Sequence, residues 1–196
     1  MDPEVAALLP TLEADTARTL EMLRTDVNGL RRRRDELSTP LRGTGPSVRH
    51  QEDRLIDGPG GPLNLHIIIP EQPKAAYLHI HGGGWVLGGP DTHGDMCAEM
   101  VAGADVVVVL VDYRLAPENP HPAQLQDSLA VLSWLREHGA EIGMNPAKII
   151  GGGDSAGGQM TAGLSLYLRD RGLKPLCGMV LIYPVLGADV DTPSYL

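Results

Sequence analysis

The strongest constraint on this chain is a serine held between small residues at a change of secondary structure. Gly153-Asp154-Ser155-Ala156-Gly157 is a G-x-S-x-G pentapeptide that follows Lys148-Ile149-Ile150 and precedes a helical pattern. A tight strand-to-helix turn thrusts the serine side chain out of the sheet. The residues two before and two after it must be small, because backbones nearly touch there, and Gly153 and Gly157 meet that need. The helix that starts behind the serine also points free N–H groups toward whatever it attacks. This geometry suits a nucleophilic serine, which then needs partners elsewhere in the chain.

The first partner lies upstream, in His81-Gly82-Gly83-Gly84-Trp85, after the apolar run Ala75-Ala76-Tyr77-Leu78-His79-Ile80. Consecutive glycines let a backbone approach a ligand closely and turn its N–H groups toward one point, as an oxyanion hole requires. The expected donors are the N–H groups of Gly82, Gly83 and Ala156. G-x-S-x-G alone is a weak signal, but its pairing with HGGG after an earlier strand is a strong one. Trp85 either lines a pocket or wedges the glycine loop, and the sequence leaves both open. His79 and His81 are expected to face opposite ways.

The order of elements is that of an α/β fold. Residues 3–37 have helical periodicity interrupted near Pro10, and 39–46 form a Gly/Pro-rich linker. Residues 48–57 and 63–69 read as two strands of a hairpin. Then follow a strand at 75–80, a helix near 92–102, a strand at 106–111 apolar on both faces, and a helix at 122–138. A strand at 147–151, a helix at 156–170 and a strand at 176–183 complete the order. Such alternation implies a mostly parallel sheet flanked by helices. Two segments result: 1–45, an N-terminal helical cap and linker, and 46–196, the core.

Composition excludes more than it assigns. A net charge of −9 argues against nucleic acid. No apolar stretch is long enough for a membrane span, and no secretory signal is visible, so a cytoplasmic location is expected. Cys97 and Cys177 read as buried free thiols. Arg31-Arg32-Arg33-Arg34, beside Asp35 and Glu36, reads as a solvated helix end, and Arg114 and Glu118 as buttresses of loops. Gly151-x-Gly153-x-x-Ala156 also fits a dinucleotide fingerprint. That motif belongs in a first βαβ unit with an acid at the next strand end, and here several strands precede it.

Three blocks stand in a familiar order: His81-Gly82-Gly83-Gly84-Trp85, Tyr113-Arg114-Leu115-Ala116-Pro117-Glu118 and Gly153-Asp154-Ser155-Ala156-Gly157-Gly158, followed by Leu181-Ile182-Tyr183-Pro184. With these, the chain resembles the hormone-sensitive-lipase-like α/β-hydrolases, the group of bacterial esterases and arylacetamide deacetylases, over roughly residues 40–196. The resemblance implies hydrolysis of carboxylic esters with short to medium acyl chains, a small-molecule ester as partner, and no cofactor or metal. It implies Ser155 as nucleophile. His81, Gly84, Trp85, Asp154, Gly153 and Gly157 support the motifs, and His81 shapes the loop without acting as the base.

A serine hydroxyl needs a histidine to take its proton and an acid to orient that histidine. In α/β-hydrolases these follow the serine, yet all seven histidines here (His50, His66, His79, His81, His93, His121, His138) precede Ser155, and the only acids after it are Asp170, Asp189 and Asp191. The expectation is an N-terminal portion that lacks the C-terminal strands of the sheet, inactive by itself, with any oligomer formed through the missing half. The alternative is a non-catalytic relative that binds a small ligand, as in the plant gibberellin receptors that resemble this family.

Overall fold

The structure is a computed structural model, and it describes residues 3–38, 46 and 48–187. It separates into two compact units, Met1–Leu41 and Arg42–Leu196.

The first unit is a pair of helices, α1 (Pro3–Thr25) and α2 (Val27–Ser38). The expected break at Pro10 does not occur: Pro10 lies inside α1. The chain breaks at Asp26 instead, whose carboxylate accepts the Gly29 N–H at 2.7 Å and so satisfies a free donor at the start of α2. In the arginine run, Arg33 pairs with Asp15 and Arg32 lies 3.9 Å from Asp26, as a solvated helix face would.

The second unit is a six-stranded sheet built from β1 (His50–Gly58), β2 (Gly61–Ile69), β3 (Ala75–Ile80), β4 (Val106–Val111), β5 (Ile149–Asp154) and β6 (Gly178–Ile182). Its spatial order is β1-β2-β4-β3-β5-β6. The first two strands form an antiparallel hairpin and β2 runs antiparallel to β4, whereas β4, β3, β5 and β6 are mutually parallel. Helices α3 (Pro90–Ala104), α4 (Ala123–His138) and α5 (Ala156–Asp170) connect the parallel strands.

The side-chain alternation of β4 shows how the layers form. Val107, Val109 and Val111 join Val131, Leu132 and Leu135 of α4 and Met160, Leu164 and Leu168 of α5 in one core. Val108 and Leu110 face the other way, onto Cys97 and Val101 of α3. A strand covered on both faces must be apolar on both, which is why β4 reads Val-Val-Val-Val-Leu-Val.

The two edges differ in chemistry. At one, β1 carries Glu52, Asp53 and Arg54. At the other, β6 carries Met179 and Val180, 46% and 45% exposed. Cys177, expected in a buried strand, is exposed just before β6, and its Sγ faces the Ala147 carbonyl. Among the described residues no helix is long and apolar enough to cross a membrane.

Candidate active site

At the centre of the sheet β3 lies between β4, which follows it in the chain, and β5, which comes later. This reversal of winding opens a crevice at the carboxyl ends of the strands, the place where open α/β sheets bind ligands. The glycine loop leaves β3 at this end and the serine turn leaves β5 beside it, with Ile80 and Gly153 in register.

Ser155 adopts φ 51° and ψ −115°, in the left-handed region that few non-glycine residues occupy. The turn is held from several directions. The Ser155 N–H donates to Ile182 O at 2.9 Å, and its carbonyl accepts the Gln159 N–H at 3.1 Å and the Val185 N–H at 3.3 Å. A Cβ on either Gly153 or Gly157 would overlap the Ile80 carbonyl oxygen, so both glycines are required by the approach of β3. Ala156 opens α5 and is fully buried.

The glycine loop corrects one expectation. The Gly82 N–H does not face the crevice: it donates to Asp154 Oδ1 at 3.0 Å. Gly83 and Gly84 have φ of 127° and 61°, and their N–H groups reach no acceptor among the described residues. A Cβ on Gly83 would run into the Leu87 carbonyl, whose residue donates its own N–H to Gly83 O at 2.9 Å. His81 is buried and stacks on Tyr113 with centroids 4.1 Å apart. Its Nδ1 is 2.8 Å from Gly82 O, and the Tyr113 hydroxyl donates to its carbonyl at 2.9 Å. Burial pushes its pKa down to about 3. An imidazole held this way shapes the loop.

His79 and His81 do not face opposite ways. Side chains two residues apart in an extended chain return to the same face, and both rings pack against His93 of α3 at 5.6 and 5.5 Å. His93 Nε2 is 3.4 Å from Asp154 Oδ1 and His79 Nε2 is 3.7 Å. Burial alone would raise the Asp154 carboxyl, but the His93 hydrogen bond, the Gly82 N–H and His79 bring it down to about 2. Burial, with repulsion from His93, lowers His79 to about 4. Cys97 is buried nearby, its thiol pushed up to about 12, which leaves it inert as a nucleophile.

Beside the loop lies a cavity of about 370 Å³, lined by Trp85, His121, Gln124, Leu125, Gln159 and Met160 among others. Trp85 is therefore on the cavity wall, with its indole N–H directed at Gln159 Oε1 at 3.4 Å. Arg114 grips Asp127 of α4 through its side chain and its backbone N–H, at 2.8–3.1 Å, and so ties the segment after β4 to that helix. Asp127, His93 and Gln159 escaped the sequence reading, since none stands in a spaced motif.

The family profile described as alpha/beta hydrolase fold matches residues 77–196. Esterase LipI of Mycobacterium tuberculosis is 43% identical over 147 residues, 72% of this chain and 46% of that protein. Carboxylesterase NlhH of the same organism is 42% identical over 155 residues, 76% of this chain and 48% of that protein. The chain thus spans about half the length of these curated relatives. The crystal structure of EstE1, a thermostable carboxylesterase cloned from a metagenomic library, is 36% identical, with a TM-score of 0.82 over 88% of this chain and 60% of that one.

Proposed function

We propose that this chain, which belongs to the α/β-hydrolase fold family, carries the nucleophile and oxyanion elements of a carboxylic ester hydrolase. The observation that carries the reading is the strained Ser155 at the head of α5, set beside a glycine loop with open N–H groups and an apolar-walled cavity. Similarity to esterases supports the same class of substrate.

In this reading Ser155 Oγ attacks the ester carbonyl. Negative charge then develops on the carbonyl oxygen, and N–H groups already aimed at that point stabilise it without reorganisation. With Gly82 committed to Asp154, the donors proposed are Gly83, Gly84 and Ala156. The cavity of about 370 Å³ suits a short to medium acyl or alcohol chain. Gly153 and Gly157 keep the turn close to β3, His81 and Trp85 hold the loop, and no cofactor takes part.

The proton acceptor is proposed to be a histidine that follows the serine in a form of the relatives' length, of which this chain spans about half. A second reading, ligand binding without turnover, is favoured by one observation: Ser155 Oγ has no hydrogen-bonded base among the described residues.

The test is labelling by a fluorophosphonate together with hydrolysis of p-nitrophenyl butyrate, in a form extended to the length of the relatives. Ser155→Ala should abolish labelling and lower turnover on the order of 10⁶-fold. Near-normal turnover by that variant would remove Ser155 from the mechanism, and labelling without turnover would favour the binding protein.

A further inference from the structure

Three side chains from three elements converge on the side of the serine turn away from the cavity. His79 comes from β3, His93 from α3 and Asp154 from the end of β5, and one donor atom of each lies within 4.8 Å of the others. The nitrogen–oxygen separations to Asp154 Oδ1 are 3.4 Å from His93 and 3.7 Å from His79. Two ligands on a tetrahedral ion, each bonded at about 2.1 Å, stand about 3.4 Å apart.

The surrounding contacts show which ring nitrogen of His93 faces inward. Thr92 Oγ1 lies 2.9 Å from Gly89 O. It lies 2.8 Å from His93 Nδ1, with Gly89 O at 3.4 Å, so this ring nitrogen is held from the α3 side. Nε2 is the ring nitrogen on the Asp154 side, 3.4 Å from Oδ1. This is the arrangement in which a ligating imidazole is held by its other nitrogen.

His79 is wholly buried, and neither of its ring nitrogens has a hydrogen-bond partner. Asp154 Oδ1 spends one lone pair on the Gly82 N–H and keeps another for this space. A cation between these three atoms would give the unpartnered His79 Nε2 and the remaining lone pair of Asp154 a common partner.

We propose that His79, His93 and Asp154 bind one divalent transition-metal ion of the zinc class. Two imidazoles and one carboxylate suit Zn²⁺, Fe²⁺ or Ni²⁺, whereas Mg²⁺ and Ca²⁺ take oxygen-rich sites. The sequence suggested no metal because the three ligands share no spaced motif. An ion here would join β3, α3 and β5 directly behind the nucleophile turn, and through Asp154 it would also fix the first glycine of the loop. The proposal stands on this cluster alone and does not depend on ester hydrolysis.

The experiment is a titration of residues 1–196, expressed without a polyhistidine tag and stripped with chelator, using Zn²⁺ in calorimetry and Co²⁺ as an absorption probe. One site per chain is expected, with a Kd of about 1 μM or tighter. Co²⁺ should give d–d bands of a low-coordinate site. His93→Ala and the size-conserving His93→Gln should each weaken Zn²⁺ binding at least about 10-fold while circular dichroism stays unchanged. His79→Gln should do the same. The surface pairs His66–Asp53, His50–Glu52 and His138–Glu141 are rival binders. His66→Ala, His50→Ala and His138→Ala should leave the tight site intact. Absence of any site tighter than about 100 μM would overturn the proposal. So would an affinity that His93→Gln leaves unchanged.

Discussion

Asp154 and Gly82 are joined by a 3.0 Å hydrogen bond from the glycine N–H to the carboxylate, so the residue just before Ser155 holds the start of the glycine loop. One charged side chain thereby sets the distance between the proposed nucleophile and its oxyanion donors. A Cβ on Gly82 would overlap the same carboxylate, so glycine is required for this approach.

Asp154→Ala should therefore act through position. Without the carboxylate the loop is free to shift, and a misplacement of about 1 Å can lower kcat about 10²-fold. Measured on p-nitrophenyl butyrate in the extended form, kcat should fall with KM little changed, while Asp154→Asn, which keeps an acceptor oxygen, should recover part of the loss. Equal activity in wild type and Asp154→Ala would mean the loop is held by His81 and Tyr113 alone.

Gly83 provides a sharper test of the loop. Proline there removes an N–H and requires φ near −65°, where the structure has 127°. Losing one oxyanion donor should lower kcat by roughly 10²–10³-fold. The thermal midpoint is the control. An unchanged kcat in a folded variant would restrict the loop to a structural role.

How much of this was legible in the sequence depends on the range of the forces involved. Elements governed by local pattern, such as α5 at 156–170 and β3 at 75–80, were placed to the residue, because periodicity and glycine chemistry are written in adjacent positions. The helix break at Asp26 was missed because it rests on a single capping bond, whereas Pro10, the eighth residue of α1, does not interrupt the helix. Gly82 could be identified as part of the loop, but the direction of its N–H depends on Asp154, which only the β3–β5 register brings near. The cluster of His79, His93 and Asp154 was invisible for the same reason: its members meet only after the sheet and α3 have packed.

Acid should destabilise the metal-free protein through the buried histidines. His79 and His81 have folded values lowered to about 4 and about 3, mainly by burial, against about 6.5 in the unfolded chain. The unfolded state thus binds more protons below pH 6.5. Their contribution to stability is fully present above pH 6.5 and is lost as pH falls toward 4, with a slope of up to about 1.4 kcal/mol per pH unit for each histidine. Urea midpoints in chelator-treated protein at pH 7, 6 and 5 should fall accordingly, and His79→Gln should flatten the trend by about one proton. A midpoint independent of pH over this range would mean that both rings are already charged in the fold or are reached by water.

Residues 1–196 by themselves should show no ester turnover and should self-associate. The histidines upstream of Ser155 are occupied elsewhere. His79 and His81 are buried, His93 faces Asp154, and His50, His66 and His138 pair with Glu52, Asp53 and Glu141 on the surface. His121 is different, because it lines the same cavity as Gln159, one helical turn from Ser155. Turnover that persists in wild type and disappears in His121→Ala would show that this histidine reaches the serine. Self-association follows from β6, an edge strand with Met179 and Val180 about half exposed and Tyr183 72% exposed just beyond it. Such an edge offers unpaired N–H and C=O groups to any other strand, and natural sheets blunt it with charge. The opposite edge does so through Glu52, Asp53 and Arg54, so pairing should occur through β6 and not through β1. Val180→Lys should accordingly raise the monomer fraction in sedimentation velocity, whereas a charge added to β1, as in Gln51→Lys, should leave it unchanged. A wild-type chain that sediments as a monomer would show that the β6 edge is protected in some other way.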